Sequence, residues 1–225
     1  LETDMSKTLH IALIGPTGFV GAAVLDELLS RGHRVTALAR NPAKLAPREG
    51  LTVVQGEATD AAQVAHAVAG TDAIVNAYNP GWDHPDLYAE FRRGTDAILT
   101  GVKQSGVRRV LMVGGAGSLF VAPGVQLVDT PAFVEAVPPN IVPGAQAARD
   151  ALTELRKESV LEWSFVSPPA MLAPGERLGR YRLGGEDLLM DGDHPAGISV
   201  ADLAVAIVDE IETPKHVRRR FTVAR

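Results

Sequence analysis

"LIGPTGFVGAAVL" (residues 13–25) runs from an apolar segment through Gly15, Gly18 and Gly21 and straight back into an apolar segment. The residues leading into it, "TLHIALI" (8–14), are β-branched and apolar, as in a buried strand. Beyond it Val20, Val24, Leu25, Leu28 and Leu29 recur at helical spacing, and "SRGH" ends that helix at Gly32. Three glycines at a strand-to-helix turn have separate uses: a tight turn, close backbone approach to a ligand, and tight packing of helix on strand. Free N–H groups and the dipole at the mouth of the helix favour an anion, so the turn points to a phosphate-bearing nucleotide. No Gly-Lys-Ser/Thr follows, which excludes a P-loop.

The same alternation continues along the chain. "RVTALAR" (34–40), "LTVVQG" (51–56), "DAIVNAY" (72–78), "VRRVLMVGG" (107–115) and "LEWSFVSP" (161–168) read as strands. Helices are expected over 60–69, 86–105 and 144–159, whereas 116–142 is rich in Gly and Pro and shows no sustained period. Strands with continuous apolar cores alternating with helices predict an α/β fold, a doubly wound parallel sheet in the order 3-2-1-4-5-6 with right-handed crossovers. In the tail, "RYRLGGEDLLMDG" (180–192) suggests a small β excursion turning at Gly184-Gly185. "SVADLAVAIVDEIE" (199–212) is an amphipathic helix capped by Ser199, and "RRFTVA" (219–224) is a candidate seventh strand. Residues 8–225 are therefore expected to form one nucleotide-binding domain, with 116–142 and 169–198 as active-site loops. Residues 1–7, with Met5 as the expected native start, read as a tag remnant or disordered start.

Composition narrows the function classes. Lys and Arg total 22 against 27 acids, a net charge of −5, so no global field favours nucleic acid or an anionic membrane. There are no cysteines, which removes disulfides, thiolate metal sites and a Cys nucleophile. No apolar run is long enough for a membrane span, and no basic segment precedes an apolar core at the start, so a cytoplasmic protein is expected. Six scattered histidines and the lack of a G-x-S-x-G elbow argue against a metal site and a hydrolase. Arg218, Arg219 and Arg220 read as solvated sheet edge, and Asp202, Asp209, Glu210 and Glu212 as the polar side of one helix. A small-molecule partner is expected, acting on a monomer or homodimer.

An NAD site usually carries an acid at the end of the second strand to bond the ribose 2′-OH. "ALARNPAKL" instead offers Arg40 and Asn41, with Lys44 close behind. A guanidinium there pairs with a 2′-phosphate, so NADP(H) is expected over NAD(H). Asp60, in "GEATD", is either a partner for the adenine amino group or the N-cap of its own helix.

The glycine turn, "GEATD", "VNAYNPG", "VGGAGSLFVAPGVQLVDTP", "LEWSFVSPPAMLAPGERLGRYRLGG" and "RRFTVA" together resemble the NAD(P)H-binding, NmrA-like branch of the atypical short-chain dehydrogenase/reductases. Within it they resemble the subgroup named for NADH-flavin reductase, related to biliverdin reductase B, over nearly the whole chain from about residue 8. The resemblance implies that Thr17, Gly18, Phe19 and Val20 contact the pyrophosphate, with Gly15 and Gly21 shaping the turn, and that Arg40 meets the 2′-phosphate. It implies that Ala77, Tyr78 and Asn79 line the ribose and nicotinamide side. Gly114, Gly115 and Ala116 would follow the fifth strand, and Ser167 and Pro168 would close the nicotinamide pocket.

The wider superfamily reduces carbonyls with a Tyr-x-x-x-Lys pair. Here the residues four beyond Tyr78, Tyr88 and Tyr181 are Trp82, Arg92 and Gly185, and residues 144–159 contain no tyrosine. A ketone accepting hydride becomes a localised alkoxide that needs a placed acid, typically worth about 10² to 10⁴ in rate. A flavin or similar conjugated acceptor spreads the charge, so stacking on the nicotinamide suffices. The expected activity is hydride transfer to such an acceptor, with flavin as substrate rather than prosthetic group. Trp82 and Phe120 are the stacking candidates and Ser118 a candidate hydrogen-bond donor or proton donor. The alternatives are a non-catalytic NADP(H)-sensing regulator and, less well supported, a nucleotide-sugar epimerase or dehydratase.

Overall fold

The structure, a computed structural model, describes residues 8–225, so the expectation for residues 1–7 lies outside the described residues. The first half alternates strands and helices except that β2 runs to β3 with no α-helix between them: β1 (His10–Ile14), α1 (Phe19–Ser30), β2 (Arg34–Ala39), β3 (Leu51–Gln55), α2 (Ala61–Val68), β4 (Ala73–Asn76), α3 (Leu87–Ser105) and β5 (Arg109–Val113). A hairpin follows, β6 (Phe120–Ala122) and β7 (Val125–Gln126), then α4 (Pro131–Ala136), α5 (Val142–Leu155) and β8 (Glu162–Ser167). The remainder comprises β9 (Met171–Ala173), β10 (Arg182–Gly184), β11 (Met190–Asp191), β12 (His194–Pro195), β13 (Gly197–Ser199), α6 (Val200–Glu212) and β14 (Arg219–Ala224).

Eight strands form the central sheet in the order β3-β2-β1-β4-β5-β8-β14-β10. The first six reproduce the expected order, with β8 as the sixth strand. β14 adds a parallel seventh, Phe221 opposite Val166, and β10 closes that edge antiparallel, Leu183 opposite Val223. Alternate residues of each inner strand enter opposite layers, which is why these strands are apolar along most of their length. Ile11, Leu13 and Val75 pack with Val24 and Leu28 of α1 and Leu203 and Ile207 of α6. Ala12, Ile14 and Ile74 pack with Val64 of α2, Ile98 of α3 and Leu152 of α5. At Gly101 a Cβ would lie 2.5 Å from the carbonyl oxygen of Ala61, so glycine is what lets α3 lie against α2. No helix among the described residues is long and apolar enough to cross a membrane.

Several local expectations are corrected. The stretch 116–142 is not structureless: β6 and β7 turn at Gly124 (φ 74°), and α4 is capped by the Thr130 hydroxyl, which accepts from Phe133 N at 3.2 Å. Both elements are too short to set up a readable period. The excursion over 180–192 turns at Gly192 (φ 59°), between β11 and β12, and not at Gly184-Gly185. Gly184 stays in the main sheet, where a Cβ would lie 2.8 Å from a Leu189 methyl. The helix expected over 144–159 runs two residues earlier at its start and ends at Leu155.

The charged tail is also reassigned. Asp202 and Glu210 are buried rather than on a polar face. Asp202 accepts the N–H groups of Leu178 and Gly179, both at 2.8 Å. Glu210 accepts from Arg109 at 3.1 Å and Ser164 at 3.0 Å. Burial pushes the Glu210 carboxyl up, but the His216 side-chain hydrogen bond leads a set of donors that leaves it below its ordinary value. Arg220 is buried too, bonded to Ser118, Ser167 and Glu186.

Candidate functional site

The three glycines of the opening turn differ in what the fold asks of them. Gly15 has φ 78°, and a Cβ there would lie 2.5 Å from the carbonyl oxygen of Ala77. At Gly21 a Cβ would lie 1.9 Å from the carbonyl oxygen of Gly15. Both are demanded by packing. Gly18 has φ −78° and a nearest neighbour 3.5 Å from its hypothetical Cβ, so nothing in the protein itself requires glycine there. It is also the N-cap of α1, which has no side-chain cap and no acid in its first turn. The helix mouth therefore keeps its N–H groups and positive dipole end for an anion. Thr17, Gly18 and Phe19 are exposed around it, while Val20 packs down onto the core.

A cleft of about 220 Å³ opens beside this turn. Its walls are the turns that follow β1 (Gly15–Gly18), β2 (Leu38–Arg40), β3 (Gly56–Thr59) and β4 (Ala77–Pro80), closed by His84 and Glu90. It lies at the carboxyl ends of four adjacent parallel strands, where an open α/β sheet binds its ligand. Arg40 is exposed in the lining, and among the described residues no carboxylate pairs with it. Asn41 is spent on its own turn, its Oδ1 accepting from Ala43 N at 3.1 Å. Lys44 faces a neighbouring depression with Asp26 and Arg48. Asp60 caps α2, accepting from Ala62 N at 2.9 Å and Gln63 N at 3.1 Å, and stands outside the lining. Of its two readings, the geometry realises the cap.

Tyr78 forms one wall. Its ring lies on Gly94 of α3, where a Cβ would be 2.2 Å from the ring, and its hydroxyl donates to the Glu90 carbonyl oxygen at 3.4 Å. Burial, reinforced by the charge of Glu90, pushes the phenol up to about 12, so it is a neutral donor at physiological pH. Asn76 and Asn79 shape the turn after β4, their Oδ1 atoms accepting from Tyr78 N at 3.0 Å and Gly81 N at 2.8 Å.

Gly114, Gly115, Ala116, Ser167 and Pro168 do not share this cleft; they lie at the carboxyl ends of β5 and β8. Gly114 is glycine because a Cβ would lie 2.0 Å from the Phe165 ring, whereas Gly115 has open space around it. Ser118 and Ser167 are buried with their Oγ atoms 3.2 Å apart, and Arg220 donates to both at 3.3 Å. The same guanidinium donates to the Glu186 carbonyl oxygen at 2.9 Å and pairs with the Glu186 carboxylate. Arg220 is the site-edge residue that reading the sequence as a run of three surface arginines missed. The usable signal was alternation: Phe221 and Val223 face one layer, which sends Arg220 and Thr222 into the other.

The stacking candidates are not brought together. Trp82 is 48% exposed over a shallow depression with Asn140 and Pro143. Phe120 lines a separate apolar depression with Val121, Leu188 and Met190. The remaining tyrosines point elsewhere, Tyr88 to Asp150 at 2.7 Å and Tyr181 to Asp209. Among the described residues no three His, Asp or Glu side chains gather as a metal site.

This arrangement can be placed among known proteins. The family described as NAD(P)H-binding matches residues 15–214. The chain belongs to that family. It is 36% identical over 220 residues to the uncharacterized protein YwnB of Bacillus subtilis, covering 96% of this chain and 98% of YwnB. A solved structure from Bacteroides thetaiotaomicron, provisionally named an epimerase, superposes with a TM-score of 0.88 at 44% identity over 97% of both chains. A Streptococcus pneumoniae protein, provisionally named an NADH-flavin reductase, superposes at 0.81 with 29% identity over 96% of this chain and 99% of its own. The fold and family are those the resemblance to NmrA-like atypical short-chain dehydrogenase/reductases implied.

Proposed function

We propose that the protein is an NADPH-dependent oxidoreductase that passes hydride to a flavin or another conjugated small-molecule acceptor. The observation that carries this reading is the placement of the three tyrosines. Tyr78 is the only one in the cleft, and its hydroxyl is turned to a main-chain carbonyl with no lysine in the lining. A carbonyl reductase or epimerase of this fold class needs a poised acid at the cofactor, and among the described residues no tyrosine–lysine pair lines the cleft. A conjugated acceptor needs only to lie flat against the nicotinamide. The cofactor preference rests on Arg40, a guanidinium without an acid partner where an NAD site would hold a carboxylate. In bound cofactor, Gly18 and the open mouth of α1 would hold the pyrophosphate, and the nicotinamide would supply the hydride.

The test is stopped-flow loss of nicotinamide absorbance with FMN, riboflavin and quinones. Turnover with at least one is expected, and no turnover with any would sink the catalytic reading. A second reading, a non-catalytic NADP(H)-sensing protein, is favoured by one observation: Trp82, Ser118 and Phe120 line no common cavity. Different affinities for NADP⁺ and NADPH without reduction of any acceptor would select it.

A further inference from the structure

The cleft contains acids as well as its cation, which is at first sight the wrong charge for a phosphate. Glu90, in the first turn of α3, lines the same space as Arg40. Its carboxylate is not bare: Arg93 Nη2 donates to Glu90 Oε1 at 2.8 Å. Arg93 is outside the lining and its side chain is 65% exposed, so it reaches Glu90 from solvent. The Arg93 hydrogen bond holds the Glu90 carboxyl below its ordinary value, with the charges of Arg93, His84 and Arg40 adding to it. Glu90 is therefore ionised at neutral pH, and the cleft that holds Arg40 also holds a carboxylate already paired with a guanidinium.

Two ligands would treat that pair oppositely. A 2′-phosphate is repelled by a bare carboxylate but tolerates one already joined to a guanidinium. A ribose 2′-OH gains from a bare carboxylate, which accepts its hydrogen bond, as acids do in NAD sites.

We propose that Arg93 supports the cofactor preference given by Arg40 by masking Glu90, so that loss of Arg93 alone shifts the cleft from NADPH towards NADH. This rests on the reading that the cleft takes NADP(H). Arg93 is a positioning residue here, acting through Glu90 and not on the phosphate itself. Glu57, the other acid in the lining, is the same in every variant needed and does not affect the comparison.

The test is a binding cycle needing no turnover. Dissociation constants for NADPH and NADH are measured by calorimetry on the wild type, Arg93→Ala, Glu90→Gln and the double variant, with thermal melts confirming that each is folded. Arg93→Ala is expected to lower the NADPH-over-NADH preference about three- to tenfold, the scale of one unmasked charge in partly screened surroundings. Glu90→Gln should not lower it, and the double variant should return to the wild-type ratio. An unchanged ratio in Arg93→Ala overturns the proposal. So does a double variant as impaired as Arg93→Ala, because Arg93 would then touch the phosphate directly. A wild type that binds neither nucleotide, or both equally, removes the underlying reading as well and is told apart by that measurement alone.

Discussion

The two ends of the sheet's carboxyl edge are built on opposite plans. Around β1 to β4 the turns are open, main chain forms part of the wall, and two charged side chains of the lining, Arg40 and Glu57, have no salt-bridge partner among the described residues. Around β5, β8 and β14 the polar groups are sealed: Ser118, Ser167 and Arg220 are buried and bonded to one another. The open end leaves the mouth of α1 without a side-chain cap and Arg40 without a carboxylate partner among the described residues. The sealed end has committed its side chains to fastening β6 and the Glu186 segment onto the sheet, through Arg220 and through Phe120 N donating to the Glu186 carbonyl oxygen at 2.9 Å. Recognition and rigidity are thus segregated along one edge, and substitutions should separate them.

The largest effect is expected inside the open end, at a position that is structural. Gly21→Ala drives a Cβ to 1.9 Å from the Gly15 carbonyl oxygen, a backbone atom that cannot yield as a flexible side chain would. The cost should be on the order of 3 kcal/mol or more, read as a clear fall in the thermal midpoint. Gly18→Ala meets nothing closer than 3.5 Å. It should cost no more than about 1 kcal/mol, the difference between Gly and Ala at an N-cap. NADPH affinity should nevertheless fall by at least about tenfold, because the methyl group stands where the pyrophosphate must approach the amides. Retained affinity in Gly18→Ala would break the claim that this end is the receiving one.

Next comes the sealed end. Arg220→Met strips the donors from Ser118, Ser167 and the Glu186 carbonyl oxygen, and leaves the Glu186 carboxylate without its buried partner. Breaking a buried pair costs about 3–5 kcal/mol, reduced here to about 2–3 kcal/mol because Glu186 can rehydrate. Arg219→Met, next to it but exposed, should stay within about 0.5 kcal/mol in urea unfolding. Equal losses for the two would mean that Arg220 fastens nothing.

Smaller in energy but sharper in meaning is Arg40→Ala. Loss of a charge-assisted contact to the 2′-phosphate should weaken NADPH binding about 10- to 30-fold, and NADH binding less than about twofold. Equal weakening of both cofactors in a fluorescence titration would remove the case for phosphate selection.

The open end was legible in the sequence because its constraints are local. Gly15 and Gly21 are fixed by contacts within one turn and one neighbouring strand, and Asp60 caps a helix that begins at the next residue. The sealed end was not, because each of its groups comes from a distant segment. Ser118 meets Arg220 across 102 residues and Ser167 across 49. Local charge density also misled: three consecutive arginines read as surface, although burial on β14 begins at its second residue, so that Arg220 is covered while Arg218 and Arg219 are exposed. The same holds for Asp202 and Glu210, carried on a helix so enclosed that two of its four acids are covered.

The weakest expected effect tests whether the opening helix is itself divided in this way. Glu27 lies eight residues beyond Phe19 on α1, about 12 Å along the axis from the open mouth. It is buried, accepting from Arg177 Nε at 2.6 Å and from Arg31 Nε at 2.7 Å. The Arg177 hydrogen bond, helped by Arg31 and opposed by burial, holds its carboxyl below the ordinary value of 4.5. A folded-state value below the unfolded one means that the contribution to stability is present above about pH 4.5 and is lost as pH falls through the folded value. Urea unfolding at a series of pH values should therefore show stability declining on acidification from that point. Glu27→Gln should flatten part of the decline while leaving NADPH affinity at neutral pH unchanged within about twofold, since the substituted group lies beyond a Debye length from the mouth. An unaltered acid slope would show that the network at the foot of α1 contributes nothing. A loss of nucleotide affinity would show that the two ends of the helix are not independent.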